Sequence, residues 1–193
     1  MLFAVTMALA TPSSPPKMRP YTGIGVLMLP VTSGDHNDPF TLYAEPGLSR
    51  QGLLNPDKLP GYDWIFGASP LAVPLIVMGR KGSWLRVAYD DAGREAWLNQ
   101  ERSGRFQTWE FFFKSQVANI LPGLQKRYLQ LYQQPGKAVM ASLTPRQYFR
   151  VLRIEDDWAM VIHNQNSLGW LRWRDEDGRL LIGVSTVSAK AQP

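Results

Sequence analysis

The alternation of apolar and polar side chains is clearest at Trp84–Tyr89, where Leu85 and Val87 share one face of a strand while Trp84 and Arg86 share the other. The same arrangement recurs at 157–163, with Ala159 and Val161 facing one way and Trp158 and Met160 the other. Further strands are predicted over 24–29, 40–44, 73–78 and 95–98, and then near 128–132, 147–154, 168–173 and 180–184. Turn-forming clusters separate them, among them Arg80-Lys81-Gly82-Ser83, Asp90-Asp91-Ala92-Gly93 and Asp175-Glu176-Asp177-Gly178. Only 100–125 departs from this texture. There Thr108 is suited to cap a short helix with Glu110 in its first turn, and Trp109, Phe112, Phe113 and Gln116 fall near one face. Pro122-Gly123 ends that element.

The strands repeat in order. Val77 precedes Trp84 by seven residues, Val87 follows by three, and Trp97-Leu98 comes ten later. In the second half Val151 precedes Trp158 by seven, Val161 follows by three, and Trp170-Leu171 comes nine later. Upstream, Leu42-Tyr43-Ala44-Glu45-Pro46-Gly47 is echoed by Leu131-Tyr132-Gln133-Gln134-Pro135-Gly136. A repeat of this kind implies two small all-β modules. The inward positions Val87 and Val161 are core candidates. Trp84 and Trp158, on the opposite face, are expected to cap one end of a small barrel.

This constellation of Leu-Tyr-x-x-Pro-Gly, a valine-rich strand, Trp-x-x-Val and Trp-Leu resembles the bacterial SH3 (SH3b) family. The resemblance covers about 42–98 and 131–172. It implies a mainly β chain of two small SH3-like β-barrels joined by a short helical connector. It also implies a non-catalytic module that binds cell-wall peptide or another envelope protein. The expected organisation is a leader and proline-rich tether over 1–22, a first barrel over 23–99, a connector over 100–126, a second barrel over 127–184 and a disordered tail over 185–193. The copies differ most in one place. Val77 stands thirty positions after Gly47, against fifteen from Gly136 to Val151. The extra length falls in an irregular insertion, 48–72, where the family places a long loop beside its binding groove.

Composition narrows the function classes. Among 193 residues the net charge is +5, yet 23–99 carries six basic and eight acidic residues while 126–184 carries nine and six. The basicity is therefore not a chain-wide stripe, which counts against nucleic acid as partner. Small barrels with aromatic and basic residues do bind single strands, so a nucleic-acid module stands as the alternative. The absence of cysteine removes disulfides, thiolate metal sites and cysteine catalysis. Leu2–Ala10, an apolar run ending in Ala8-Leu9-Ala10, resembles the core and cleavage site of a secretory signal without a basic start. It predicts an exported protein, periplasmic or extracellular. No run approaches the roughly 20 apolar residues of a transmembrane helix. Oligomeric state is not legible.

Candidate sites follow from the differences between the copies. Tyr62, Trp64 and Phe66 in the insertion are candidate ligand contacts, set against the preferred alternative of a lid folded onto the barrel or connector. Trp173 with Arg172 and Arg174 could meet an acidic peptide or polymer, set against a core tryptophan beside a solvated basic edge. His36 and His163 lack the paired ligands of a metal site, and Asp175-Glu176-Asp177-Gly178 reads as a turn rather than a calcium loop. No metal, cofactor or catalytic residue is assigned: the Gly-x-Ser-x-Gly elbow and glycine-rich phosphate loops are absent, and the acidic residues cluster in turns.

Overall fold

A computed structural model describes residues 18–30, 40–55, 58–69, 71–145, 147–164 and 167–185. The signal-like segment Leu2–Ala10, His36 and the tail beyond Ser185 lie outside them. The fold is mainly β, with two antiparallel sheets. The first contains β1 (Gly25–Pro30), β2 (Thr41–Glu45), β3 (Leu48–Leu53), β4 (Ala72–Lys81), β5 (Trp84–Ala88), β6 (Glu95–Asn99) and β7 (Arg105–Gln107). The second contains β8 (Ala118–Ile120), β9 (Gln130–Tyr132), β10 (Val139–Ser142), β11 (Tyr148–Glu155), β12 (Trp158–His163), β13 (Ser167–Arg172) and β14 (Ile182–Val184).

The strand orders are β3-β2-β6-β5-β4-β1-β7 and β10-β9-β13-β12-β11-β8-β14. Adding seven to each label of the first gives the second. The duplication thus extends to the register: Val77 faces Val87 as Val151 faces Val161, and Tyr43 faces Trp97 as Tyr132 faces Trp170. Both copies even shift register one step past that valine pair, between Val77 and Gly79 and between Val151 and Arg153. An extra residue there bends the strand and increases its twist.

Three expected boundaries move. The insertion is not irregular throughout, because Leu48–Leu53 pairs with β2 as an exposed edge strand whose run Leu-Ser-Arg-Gln-Gly-Leu carries no alternating signal. The connector is divided between the sheets: Arg105–Gln107 pairs with β1, Ala118–Ile120 pairs with β11 and β14, a four-residue helix α2 (Gln100–Ser103) opens it, and the expected helix is α3 (Trp109–Lys114). Thr108 does cap it, its hydroxyl accepting from the Phe111 amide at 3.4 Å. Finally, the end of the expected tether is docked. Thr22 N–H donates to the Gly178 carbonyl, Leu180 N–H donates to the Pro20 carbonyl, and Arg19 pairs with Asp175 at 2.7 Å.

Two buried clusters result. One lies on the inner face of the first sheet and is built from Leu27, Leu29, Leu42, Leu75, Val77, Leu85, Val87 and Leu98 among others. The other fills the inner face of the second sheet with Leu131, Phe149, Val151, Val161 and Leu171, and continues through Trp109, Phe112 and Phe113 of α3 to Val26 and Ile76. The alternation in β1 and β4 explains this continuity. Leu27 and Leu75 enter the first cluster, and their neighbours Val26 and Ile76 turn into the second. Both strands are buried on both sides, so the halves share a core.

Candidate aromatic sheet faces

The insertion returns to the chain interior at α1 (Asp63–Phe66), which packs on β14. Gly183 makes that approach possible, because a Cβ there would lie 2.5 Å from the Ile65 carbonyl oxygen. Phe66 is 8% exposed, stacked on Trp109 at 6.1 Å and edge-on to Phe112 at 5.7 Å. Tyr62 lies edge-on to Phe66 at 5.8 Å, and Trp64 is half-buried against the same cluster. Burial, with the Asp91 and Asp90 carboxylates adding to it, pushes the Tyr62 hydroxyl up to about 12. The insertion is therefore an architectural bridge between the halves, and of the three candidate rings Phe66 has no face open to a ligand.

Trp173 is buried as well, 3% exposed. Its Nε1–H donates to the Asp156 carbonyl at 2.8 Å, and its ring lies 5.8 Å from Trp109. Of the two arginines beside it, Arg174 lies against it, its guanidinium 5.2 Å from the Trp173 ring, and Arg172 turns to another tryptophan. Arg174 pairs with Asp157 at 2.6 Å, and the Arg172 guanidinium lies 4.9 Å from the Trp158 ring. Asp175 is the centre of a turn: its Oδ1 accepts from the Asp177 and Arg179 amides, and its Oδ2 from Arg19. Burial would raise this carboxyl, yet those donors hold it below the usual carboxylate range. His163 is buried at the end of β12. Among the described residues no group of three histidine, cysteine, aspartate or glutamate side chains is placed to hold a metal ion, and no helix is long and apolar enough to cross a membrane.

The side chains left toward solvent assemble on the outer faces of the sheets. Trp84 and Trp158 enter neither buried cluster. Each is half-buried and meets a tyrosine edge-on, Tyr43 at 5.1 Å and 83° and Tyr132 at 5.2 Å and 86°. They brace the outer face instead of capping a barrel end.

Cross-strand register then produces one row on each sheet. In the first, Gly79, Arg86, Trp97, Tyr43 and Arg50 stand side by side on β4, β5, β6, β2 and β3. In the second, the same positions hold Arg153, Met160, Trp170, Tyr132 and Val139. Directly paired side chains are about 5 Å apart, so each row is continuous. Five strands at about 4.8 Å spacing make it roughly 19 Å long.

The tryptophan–tyrosine centre is common to both rows, and its surroundings differ. In the first, arginines flank it. Arg86 lies 6.0 Å from the Trp97 ring and pairs with Glu95 at 3.1 Å, and Arg50 is exposed on the edge strand. Gly79 leaves room for the Arg86 guanidinium, which lies 3.5 Å from where its Cβ would be. In the second row methionine and valine replace the two arginines.

Sequence reasoning assigned Trp84, Trp97 and their echoes to strands without joining them into a row. The alternation gives the face of each side chain, but only register across four strand pairs gives its neighbours. No family model matches the chain, and neither a curated protein nor a solved structure matches it significantly.

Proposed function

We propose that the chain is an exported, non-catalytic binding protein of the bacterial envelope, each half an elaborated SH3-like module, and that the first sheet's outer face holds cell-wall peptide or polymer. The observation that carries this reading is the row Arg86–Trp97–Tyr43–Arg50, an aromatic pair between two guanidinium groups. Aromatic faces take the apolar surface of a sugar or peptide, and guanidinium groups take carboxylates in paired hydrogen bonds. The net charge of −2 over 23–99 suits a short carboxylate-bearing ligand better than a long polyanion. The signal-like Leu2–Ala10 segment and the resemblance of the repeated motifs to exported SH3b modules point to the same compartment.

Sedimentation with isolated cell walls tests this. The wild-type protein should pellet with the walls, and Trp97→Ala or Arg50→Glu should move most of it to the supernatant with the far-UV spectrum unchanged. Wild-type protein remaining wholly in the supernatant would sink the proposal.

A second reading rests on the same row, because bases of a single strand also stack on aromatic rings between cationic groups. It predicts oligonucleotide binding that falls steeply with salt and is lost in the same variants. Binding to walls undiminished by excess oligonucleotide would exclude it.

A further inference from the structure

We infer that the second sheet's outer face is a docking surface for another protein, taking an extended apolar segment that ends in acidic residues, so that the two halves hold different partners. Met160, Trp170, Tyr132 and Val139 form an apolar row across β12, β13, β9 and β10, with Val139 49% exposed. One row away Ile162 pairs with Leu168, which is 53% exposed. On the first sheet the residues equivalent to Met160, Ile162 and Leu168 are Arg86, Ala88 and Glu95. Where one copy carries an ion pair, the other carries a contiguous apolar patch, the usual mark of a protein contact.

Charge fixes the direction of the occupant. The apolar rows both end on β11 in an arginine, Arg150 beside Ile162 and Arg153 beside Met160. Arg150 is exposed and has no ion-pair partner among the described residues, and Arg153 shares Glu155 at 2.6 Å while 61% of its side chain stays exposed. Next to them, Arg172 lies over Trp158 with Asp157 and Glu176 at 3.9 and 3.6 Å. Glu155, Asp157 and Glu176 thus pair with Arg153, Arg172 and Arg174, and Arg150, on the other end of β11, is left as the cation without an acidic partner among the described residues. At the other end β10 is a free sheet edge whose Val139-Met140-Ala141-Ser142 carries no charge. A row about 19 Å long accommodates roughly six residues of extended chain, apolar over β10 to β12 and acidic over β11. This assignment stands apart from wall binding, which uses the other sheet.

Fluorescence anisotropy on the full-length protein provides the test. The probe is a labelled peptide of five alternating valine and leucine residues followed by two glutamates, compared with the same peptide ending in two lysines. The glutamate peptide should bind saturably and at least tenfold more tightly than the lysine peptide. Leu168→Glu and Val139→Glu, both at exposed positions and judged by unchanged melting temperatures, should each weaken it at least tenfold. Arg150→Glu should remove the preference for glutamate. Equal affinity for the two peptides, binding untouched by all three variants, or no binding to either peptide would overturn the inference. So would a concentration-dependent dimer abolished by Leu168→Glu, since a second copy would then cover the face. Failure of wall sedimentation would leave these outcomes unchanged, so the two readings fail separately.

Discussion

Asp175 joins the two ends of the described chain through a single carboxylate. It accepts from the Arg179 amide at 2.8 Å, the Asp177 amide at 3.1 Å and the Arg19 guanidinium at 2.7 Å, and its side chain is only 6% exposed. Removing the charge leaves the guanidinium and the amide donors without their shared acceptor, so Asp175→Asn should cost about 3 kcal/mol in urea denaturation at pH 7. The pH dependence has a definite sign. The folded carboxyl lies below its unfolded counterpart, so its contribution is complete above the ordinary carboxylate range and is lost as pH falls through the lower folded value. Asp90, held down by Arg94, and Glu110, held down by Lys114 and the Ile154 amide, act in the same direction. The wild-type protein should therefore lose stability on acidification, and Asp175→Asn should lose less between pH 7 and pH 3. An equal loss in both proteins would remove Asp175 from the account.

At the scale of elements, α1 shows what a periodicity argument cannot reach. Four residues do not make a stable helix alone, so Asp63–Phe66 must be held by packing. Phe66 on Trp109 and Phe112, with Ile65 against Gly183, supplies it. Phe66→Ala should cost about 3–5 kcal/mol, in line with other phenylalanine truncations in cores, and should open 58–69 to proteolysis. A change below about 1 kcal/mol would mean that the insertion behaves as a surface loop.

The strands missed in the sequence fall into two kinds. The edge strands β3 and β10 are solvated, and Leu48–Leu53 and Val139–Ser142 show no buried stripe to detect. The strands β7 and β8 are three residues each, too short for an alternation to be written in them. What was legible, the valine and tryptophan spacing of β4 to β6 and β11 to β13, lies where one face meets the core and the other meets solvent. Phe66 and Trp173 resembled binding residues because a sequence cannot separate an aromatic residue facing a core from one facing solvent across an irregular segment.

The duplication of the whole molecule is complete in topology, yet the two halves are not independent units. Four links cross between them: Arg19–Thr22 lies on 175–180, α1 lies on β14, α3 contacts both β1 and β11, and the Trp109 Nε1–H reaches the Thr22 carbonyl at 2.7 Å. The largest hydrophobic cluster runs through these links, from Val26 and Ile76 of the first sheet to Val151 and Val161 of the second. Opening either half would expose part of that cluster, so the free energy of one sheet depends on the other being folded. A tandem array of self-sufficient modules would instead melt in steps. The full chain should unfold in one transition, with tryptophan fluorescence and far-UV circular dichroism coinciding. Phe66→Ala, anchored in the first half, and Val151→Ala, in the second, should each shift that single midpoint to lower denaturant without splitting it. Two separable transitions, one moved by each variant, would show that the shared core does not couple the halves. A single transition would mean that the two outer faces, one flanked by arginines and one apolar, are carried at a fixed spacing and orientation. That is what a protein needs if it is to hold a wall ligand on one side and a partner on the other.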